Sequence, residues 1–288
     1  MSRSSPFTRF WSLAAFLRPQ IAFQASLYCL VGVYLSGTTT HNLRGEIFLA
    51  ALTVALLVSF GFVVNDYADR ELDRLVKPHR PLPSGRVTVS EARFIALALS
   101  GVVVVIATWL AEPLRLIASL NLILTLLYSF WLKRTVLAGN MTMAFLNSSI
   151  ILFGALAGDG ASPIIWSVCV SIFLYSLAQE VLYTIGDRVG DALAGIMTTA
   201  IAMGEARALL LFRVLLGCAA LSAFLPLWLG VSAPSYVLAL LLCNVGPIFL
   251  WILPLTGGPG GARIDEACRA VKVVRVASLC PLLFLEPV

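Results

Sequence analysis

Residues 47–73 read IFLAALTVALLVSFGFVVNDYADRELD, an apolar run that ends abruptly in Asn65, Asp66, Asp69, Glu71 and Asp73. From Ile47 to Val64 no side chain is charged, and roughly 20 apolar residues of helix are what a ~30 Å hydrocarbon core requires. Further apolar runs of this kind recur along almost the whole chain. Of 288 residues, 59% are hydrophobic and only 12% charged, against about 25% charged in soluble domains. The solvent is a bilayer, and no room is left for a soluble domain.

Working outward from that segment, apolar stretches and breakers predict nine spans, near residues 16–36, 47–65, 92–111, 114–132, 138–157, 163–186, 207–229, 234–254 and 268–286. The expected fold is an all-α polytopic membrane protein of one domain, residues 1–288, with residues 1–15 as a cytoplasmic N-terminal segment. That segment holds Arg3 and Arg9, and no small-residue cleavage site follows the first apolar run, so a retained helix is expected. The last span contains Lys272 and Arg275, which predicts an interfacial start, a short helix, or a face turned to a polar cavity. The six cysteines fall singly in apolar segments without a C-x-x-C pair, as packing residues do.

If the spans alternate, one side collects Arg70, Arg74, Lys77, Arg80, Arg86, Lys133, Arg134, Arg188, Arg207 and Arg263, while the other shows little beyond Arg44 and Arg115. Short basic loops face the cytoplasm. The net charge of +5 thus belongs to one membrane face, and no nucleic acid is needed to explain it.

Two acidic clusters leave the membrane on that face. One is Asn65-Asp66-Tyr67-Ala68-Asp69-Arg70-Glu71-Leu72-Asp73, and the other is Asp187-Arg188-Val189-Gly190-Asp191. Helical spacing puts Asn65, Asp69 and Asp73 on one face, and likewise Asp187 and Asp191. A few oxygen ligands of this type suit Mg²⁺, which takes its remaining ligands from water and substrate phosphates. Solvated helix-end charge is the plainer reading of loop acids. With only 15 acidic residues in the chain, their concentration in two short stretches on one side favours ligation of a diphosphate between them. Lys77, Arg80 and Arg86 follow in a proline-rich turn that can hold cations at fixed distances.

These residues resemble the UbiA superfamily of intramembrane prenyltransferases over nearly the whole chain. The pattern N-D-x-x-D-x-x-x-D is met at Asn65, Asp66, Asp69 and Asp73, its K-P-x-R-P-L-P-S-G continuation at residues 77–85, D-x-x-x-D at Asp187 and Asp191, and G-x-x-T at Gly195 and Thr198. A Y-x-x-x-x-K-R element stands at Tyr128, Lys133 and Arg134. The resemblance implies helices around a central cavity capped by the acidic loops, and an isoprenyl diphosphate donor bridged by two Mg²⁺ ions. The implied metal set is Asn65, Asp66, Asp69, Asp73, Asp187 and Asp191. Lys77, Arg80, Tyr128, Lys133, Arg134 and Arg188 become diphosphate contacts. Glu180, an acid two turns inside the sixth span, joins Asp69, Asp73, Asp187 and Asp191 as a catalytic candidate that can orient or deprotonate an acceptor.

The expected reaction is ionisation of the donor and transfer of its prenyl group to an aromatic or lipid-like acceptor. Apolar walls would keep water away, and rings among Phe23, Tyr28, Phe60, Phe62, Phe145, Phe153, Tyr175 and Tyr183 would face the cation. Many lipid-type members carry a Lys-Asp pair where this chain has Tyr183 and Thr184, and a basic residue where it has Gln179. The stretch from Tyr183 to Gly204 is similar to the ubiquinone branch, whereas Gly139-Asn140 is similar to the archaeal-lipid branch. The same ionisation without an acceptor would make a membrane terpene cyclase, and a polyprenyl phosphate binder without chemistry is the reading from another class.

Overall fold

The structure is a computed structural model and describes residues 6–38, 44–231, 233–257 and 263–285. In chain order the helices are α1 (Pro6–Leu17), α2 (Pro19–Leu35), α3 (Arg44–Ala68), α4 (Arg70–Val76), α5 (Val89–Ala107), α6 (Glu112–Phe130), α7 (Ala138–Ala157) and α8 (Pro163–Gly186). They continue as α9 (Arg188–Leu193), α10 (Thr199–Met203), α11 (Glu205–Ser222), α12 (Leu225–Trp228), α13 (Pro234–Leu240), α14 (Leu253–Leu255), α15 (Ile264–Ala277) and α16 (Leu279–Leu282). Every regular element among the described residues is helical.

Seven of these stretches are long and apolar enough to cross a membrane among the described residues: most of α3, then α5, α6, α7, α8, Glu205–Trp228 and Pro234–Leu255. The two outer members of the expected nine differ. Predicted residues 16–36 divide at Arg18: Phe16 and Leu17 end α1, and α2 follows with 17 residues, at the short end of the spanning range. Predicted residues 268–286 begin four positions earlier, at Ile264, and break at Ser278 between α15 and α16. The physical reason is α15 itself: Asp265, Glu266, Arg269, Lys272 and Arg275 fall within its 14 residues. The polar stripe Asp265, Cys268, Lys272 and Arg275 lines the protein's interior cavity.

Local chemistry sets the helix ends. Arg18 takes a left-handed backbone (φ 51°), because the residue before Pro19 is kept out of the right-handed helical region. That separates α1 from α2. Thr88 and Glu91 form a reciprocal capping box at the start of α5, which satisfies two otherwise orphaned donors. Ser162 caps α8 one residue before Pro163.

Without a hydrophobic drive between helices in lipid, close packing of small residues brings them together. A Cβ on Gly154 of α7 would stand 1.8 Å from the Cys29 carbonyl oxygen of α2, and one on Gly32 would stand 2.2 Å from that of Ile151. The two backbones therefore touch. Around such contacts α2, α3, α5, α6 and α7 bury one apolar core, and α8, α10, α11 and α15 bury another. A cavity of about 700 Å³ lies between, lined from α2, α3, α6, α7, α8, α13 and α15.

Between α13 and α14 the backbone widens into π-helix at Leu241–Val245 and Ile248–Ile252. The Gly246 N–H donates five residues back to the Leu241 carbonyl, just before Pro247, which has no N–H to give. Such π-bulges commonly occur at functional sites. Here the bulge carries Asn244 into the cavity lining.

Candidate active site

At one end the cavity opens into a polar mouth of about 420 Å³. The two spaces share Asn65, Lys77, Arg80, Tyr128, Glu180, Tyr183 and Asp187, so they are continuous. Asp69, Asp73, Lys133, Arg134 and Asp191 complete the charged lining of the mouth.

The first acidic motif is built across a helix break. α3 ends at Ala68 and α4 starts at Arg70, with Asp69 between them. The hydrogen bonds Asp69 N–H to Asn65 carbonyl (2.9 Å) and Asp73 N–H to Asp69 carbonyl (2.8 Å) nevertheless keep the i to i+4 rhythm. Asn65, Asp69 and Asp73 consequently stay on one face and all line the mouth.

Asp66 is one residue, and about 100° of helix rotation, away from Asn65. Its carboxylate is buried, accepts two bonds from the Arg18 guanidinium at 2.8 and 3.1 Å, and a third from Arg80 at 3.3 Å. It lines neither space. Arg80 also donates to Asp73 at 2.7 Å, so one guanidinium ties the proline-rich turn to both carboxylates.

Lys133 reaches the same motif from the other side. Its ammonium donates to Asn65 Oδ1 at 3.0 Å and to Asp69 at 2.5 Å. Burial pulls this amine below the usual lysine range, and the neighbouring Asp69 carboxylate pulls back the other way. The 3₁₀ turn Leu132–Arg134 that carries it lies directly on α7. A Cβ on Gly139 would come within 2.7 Å of the Leu132 carbonyl and the Lys133 Cα. Only a glycine lets the turn sit so low.

The second motif follows α8. Asp187 is the junction of α8 and α9, and its carboxylate accepts a bond from Lys77 at 3.1 Å. Lys77 thereby links the turn after the first motif to the second. Asp191 lines the mouth one turn on. Burial, and then the Asp187 charge, push its carboxyl up to about 6.

Of the other expected residues, Arg134 and Tyr128 line the mouth and Glu180 lines both spaces. Arg188 points elsewhere: it pairs with Glu205 at 2.9 Å and lines neither space. Tyr28, Phe62, Phe153, Tyr175 and Tyr183 line the apolar cavity. Phe23 and Phe145 are exposed on the outer surface, and Phe60 is buried in packing. Asn121 and Asn140 make interhelical bonds, to Ser149 and Thr199, and Asn147 lines the cavity. The described cysteines are all free.

Asn65, Asp69 and Asp73 on one wall and Asp187 and Asp191 on the other are hard oxygen donors suited to magnesium. Among the described residues no three His, Cys, Asp or Glu side chains converge as a ready-made metal centre. Lysines stand at the carboxylates instead, Lys133 at Asp69 and Lys77 at Asp187. The donor set fits an ion that completes its shell with water and substrate oxygens, not one caged by protein.

The chain matches the UbiA prenyltransferase family over residues 25–258. It belongs to that family. It is an intramembrane prenyltransferase, an integral multi-pass protein that moves prenyl groups. A digeranylgeranylglyceryl phosphate synthase from Methanopyrus kandleri is 35% identical over 266 residues, covering 92% of this chain and 94% of that one. A UbiA homolog from Archaeoglobus fulgidus, solved with GPP and Mg²⁺, superposes with a TM-score of 0.71 at 18% identity, over 94% of this chain and 99% of that one. A structure from work on digeranylgeranylglyceryl phosphate synthase in membranes gives 0.76 at 23% identity, over 96% and 98%. The solved structures share the UbiA fold with this one.

Arg18, Gln24 and Asn244 also lie in or beside the site without a motif to mark them. Arg18 was visible as a cation next to a proline, but only the fold brings it to Asp66. Gln24 and Asn244 are single amides in apolar runs, and nothing local marks the side they face.

Proposed function

We propose that this prenyltransferase binds an isoprenyl diphosphate at the polar mouth with a pair of Mg²⁺ ions, and transfers the prenyl group to a hydroxyl of a glyceryl phosphate lipid. The observation that carries this reading is the balance of charge at the mouth. Asp69, Asp73, Glu180, Asp187 and Asp191 stand against Lys77, Arg80, Lys133 and Arg134. A diphosphate adds about three negative charges, which this lining would repel on its own. A pair of divalent cations brings the sum close to neutrality.

In this reading Asn65, Asp69 and Asp73 serve one ion, and Asp187 and Asp191 the other. Bound magnesium supplies the counter-charge for the departing diphosphate. Lys77, Arg80, Lys133 and Arg134 orient the phosphates, with Tyr128 as a hydrogen-bond donor beside them. Asp66 is left out of the metal set, since both its oxygens are held by arginines. Arg188 is likewise left out, since it pairs outside the mouth.

The allylic C1–O bond breaks heterolytically, and its electron pair leaves with the diphosphate. The acceptor oxygen forms the new C–O bond, and its proton passes to Glu180, the carboxylate where mouth and apolar cavity meet. Tyr28, Phe62 and Phe153 flank the cavity that would hold the chain and keep water from the cation. A lipid acceptor is favoured over an aromatic ring by the name of the Methanopyrus kandleri relative. The basic residues at the mouth support a cytoplasmic orientation.

The test is turnover by purified protein supplied with Mg²⁺ and prenyl diphosphates of several lengths, with and without a monoprenylated glyceryl phosphate. Diphosphate release and an ether product that both require acceptor and Mg²⁺ are expected. Cyclic products formed without acceptor would make the protein a terpene cyclase, and intact diphosphate under every condition would leave only binding.

A further inference from the structure

Outside the two acidic motifs, the cavity holds a second set of polar groups. α15 presents Asp265, Cys268, Lys272 and Arg275 to the cavity at intervals of three, four and three residues, one continuous face. Two tyrosines, Tyr28 half-buried and Tyr175 buried, hold that face inward: Tyr28 donates to the Arg275 backbone carbonyl, and Tyr175 to that of Val271. Arg275 Nε is fully buried with no hydrogen-bond partner among the described residues. Lys272 rests 5.3 Å over the Tyr183 ring, and neither cation is in a salt bridge among the described residues, in contrast to Lys77, Arg80 and Lys133. The Asn244 side-chain oxygen and the Gln24 side-chain nitrogen are also buried, unpartnered and on the same cavity. Native proteins rarely leave buried donors unmet, and exceptions call for a role.

We propose that Lys272 and Arg275 bind the phosphate of the acceptor lipid, a second anion site distinct from the diphosphate mouth. The inference rests on the proposed reaction and adds the acceptor's address. A phosphate held by α15 keeps the rest of the acceptor in the space facing Glu180 on α8, the group that takes its proton. Gln24 supplies a donor for a glyceryl ether or ester oxygen. Arg275 and Glu180 line the same cavity. An incoming phosphate takes up that guanidinium, and the Glu180 carboxylate faces the hydroxyl. Two anions then occupy one cavity without competing, each with its own cations.

The test compares a monoprenylated glyceryl phosphate with the same lipid lacking its phosphate, in binding to the magnesium-free protein and in turnover at saturating donor. The wild type should bind the phosphorylated lipid more tightly. Arg275→Ala should raise its Kd and KM about tenfold or more, and Lys272→Ala by somewhat less, with the donor KM within about twofold and the phosphate-free lipid unaffected. Arg275→Lys should recover part of the loss. Equal losses toward both lipids, a fall in kcat alone, or displacement of the prenyl lipid by an ordinary bilayer phosphatidic acid with equal efficiency would overturn the assignment. Lys272 is exposed to the cavity, so its variant reports even if Arg275→Ala does not fold. Absence of any transfer by the wild type would sink the proposed reaction, and binding would still decide the phosphate site.

Discussion

The two acidic motifs look equivalent in sequence and are built differently in space. The first is clamped. Asp66 and Asp73 are 3% and 4% exposed at the side chain, Asp69 is 17% exposed, and Arg18, Arg80 and Lys133 hold them. The second is open, with Asp187 at 58% and a single lysine at 3.1 Å. A buried carboxylate must be paired, since losing one partner strands the other, whereas an exposed one can wait in water. The difference teaches that one wall of the mouth is preorganised and the other is free to adjust when a ligand arrives.

The hardest test of that contrast removes one acid from each wall. Asp69→Ala and Asp187→Ala should each lower prenyl transfer about a thousandfold or more in a steady-state assay, because in the proposed reaction each wall holds a metal ion that offsets the diphosphate charge. Near wild-type turnover in Asp187→Ala would mean that the open wall is not part of the site.

Stability should separate the walls where activity does not. Asp66→Ala leaves Arg18 without its partner and takes from Arg80 one of its two carboxylates, and should cost about 3–5 kcal/mol, read as a lowered melting temperature in detergent. Asp187→Ala should stay within about 0.5 kcal/mol of wild type. Equal melting temperatures for the two variants would remove the distinction between a clamped and an open wall.

A smaller effect sharpens how the clamp is set. Gly139→Ala pushes a Cβ against the Leu132–Arg134 turn, shifting Lys133 off Asn65 and Asp69. The donor KM should rise about tenfold, measured against an unchanged kcat ratio between donors of different chain length. Smallest of all, Arg188→Ala should change the donor KM by less than about threefold, since its partner is Glu205 and not the mouth. A large effect there would return Arg188 to the diphosphate.

Legibility in the sequence followed the range of the forces involved. The bilayer demands long uncharged helices, so α3, α5, α6, α7 and α8 could be read to within a few residues from hydropathy and breakers alone. α15 could not, because its polar stripe obeys the cavity and not the lipid. Asn65, Asp69 and Asp73 were readable as one face because helical spacing is local. That Asp66 turns toward Arg18 was not, since the partner lies 48 residues earlier.

By itself, then, the amino-acid order determined a membrane-embedded helical protein with two acid motifs on one basic face, through hydropathy and periodicity that act over a turn or a span. Tertiary structure alone decided which of those acids face the mouth, which cations are already paired with them, and that Lys272 and Arg275 look inward without an ion-pair partner among the described residues. Those outcomes depend on which helix lies opposite, and that is settled by contacts such as Gly154 against the Cys29 carbonyl. The physical reason is that pairing in a low-dielectric interior is fixed by distance through space, for which spacing along the chain is no guide.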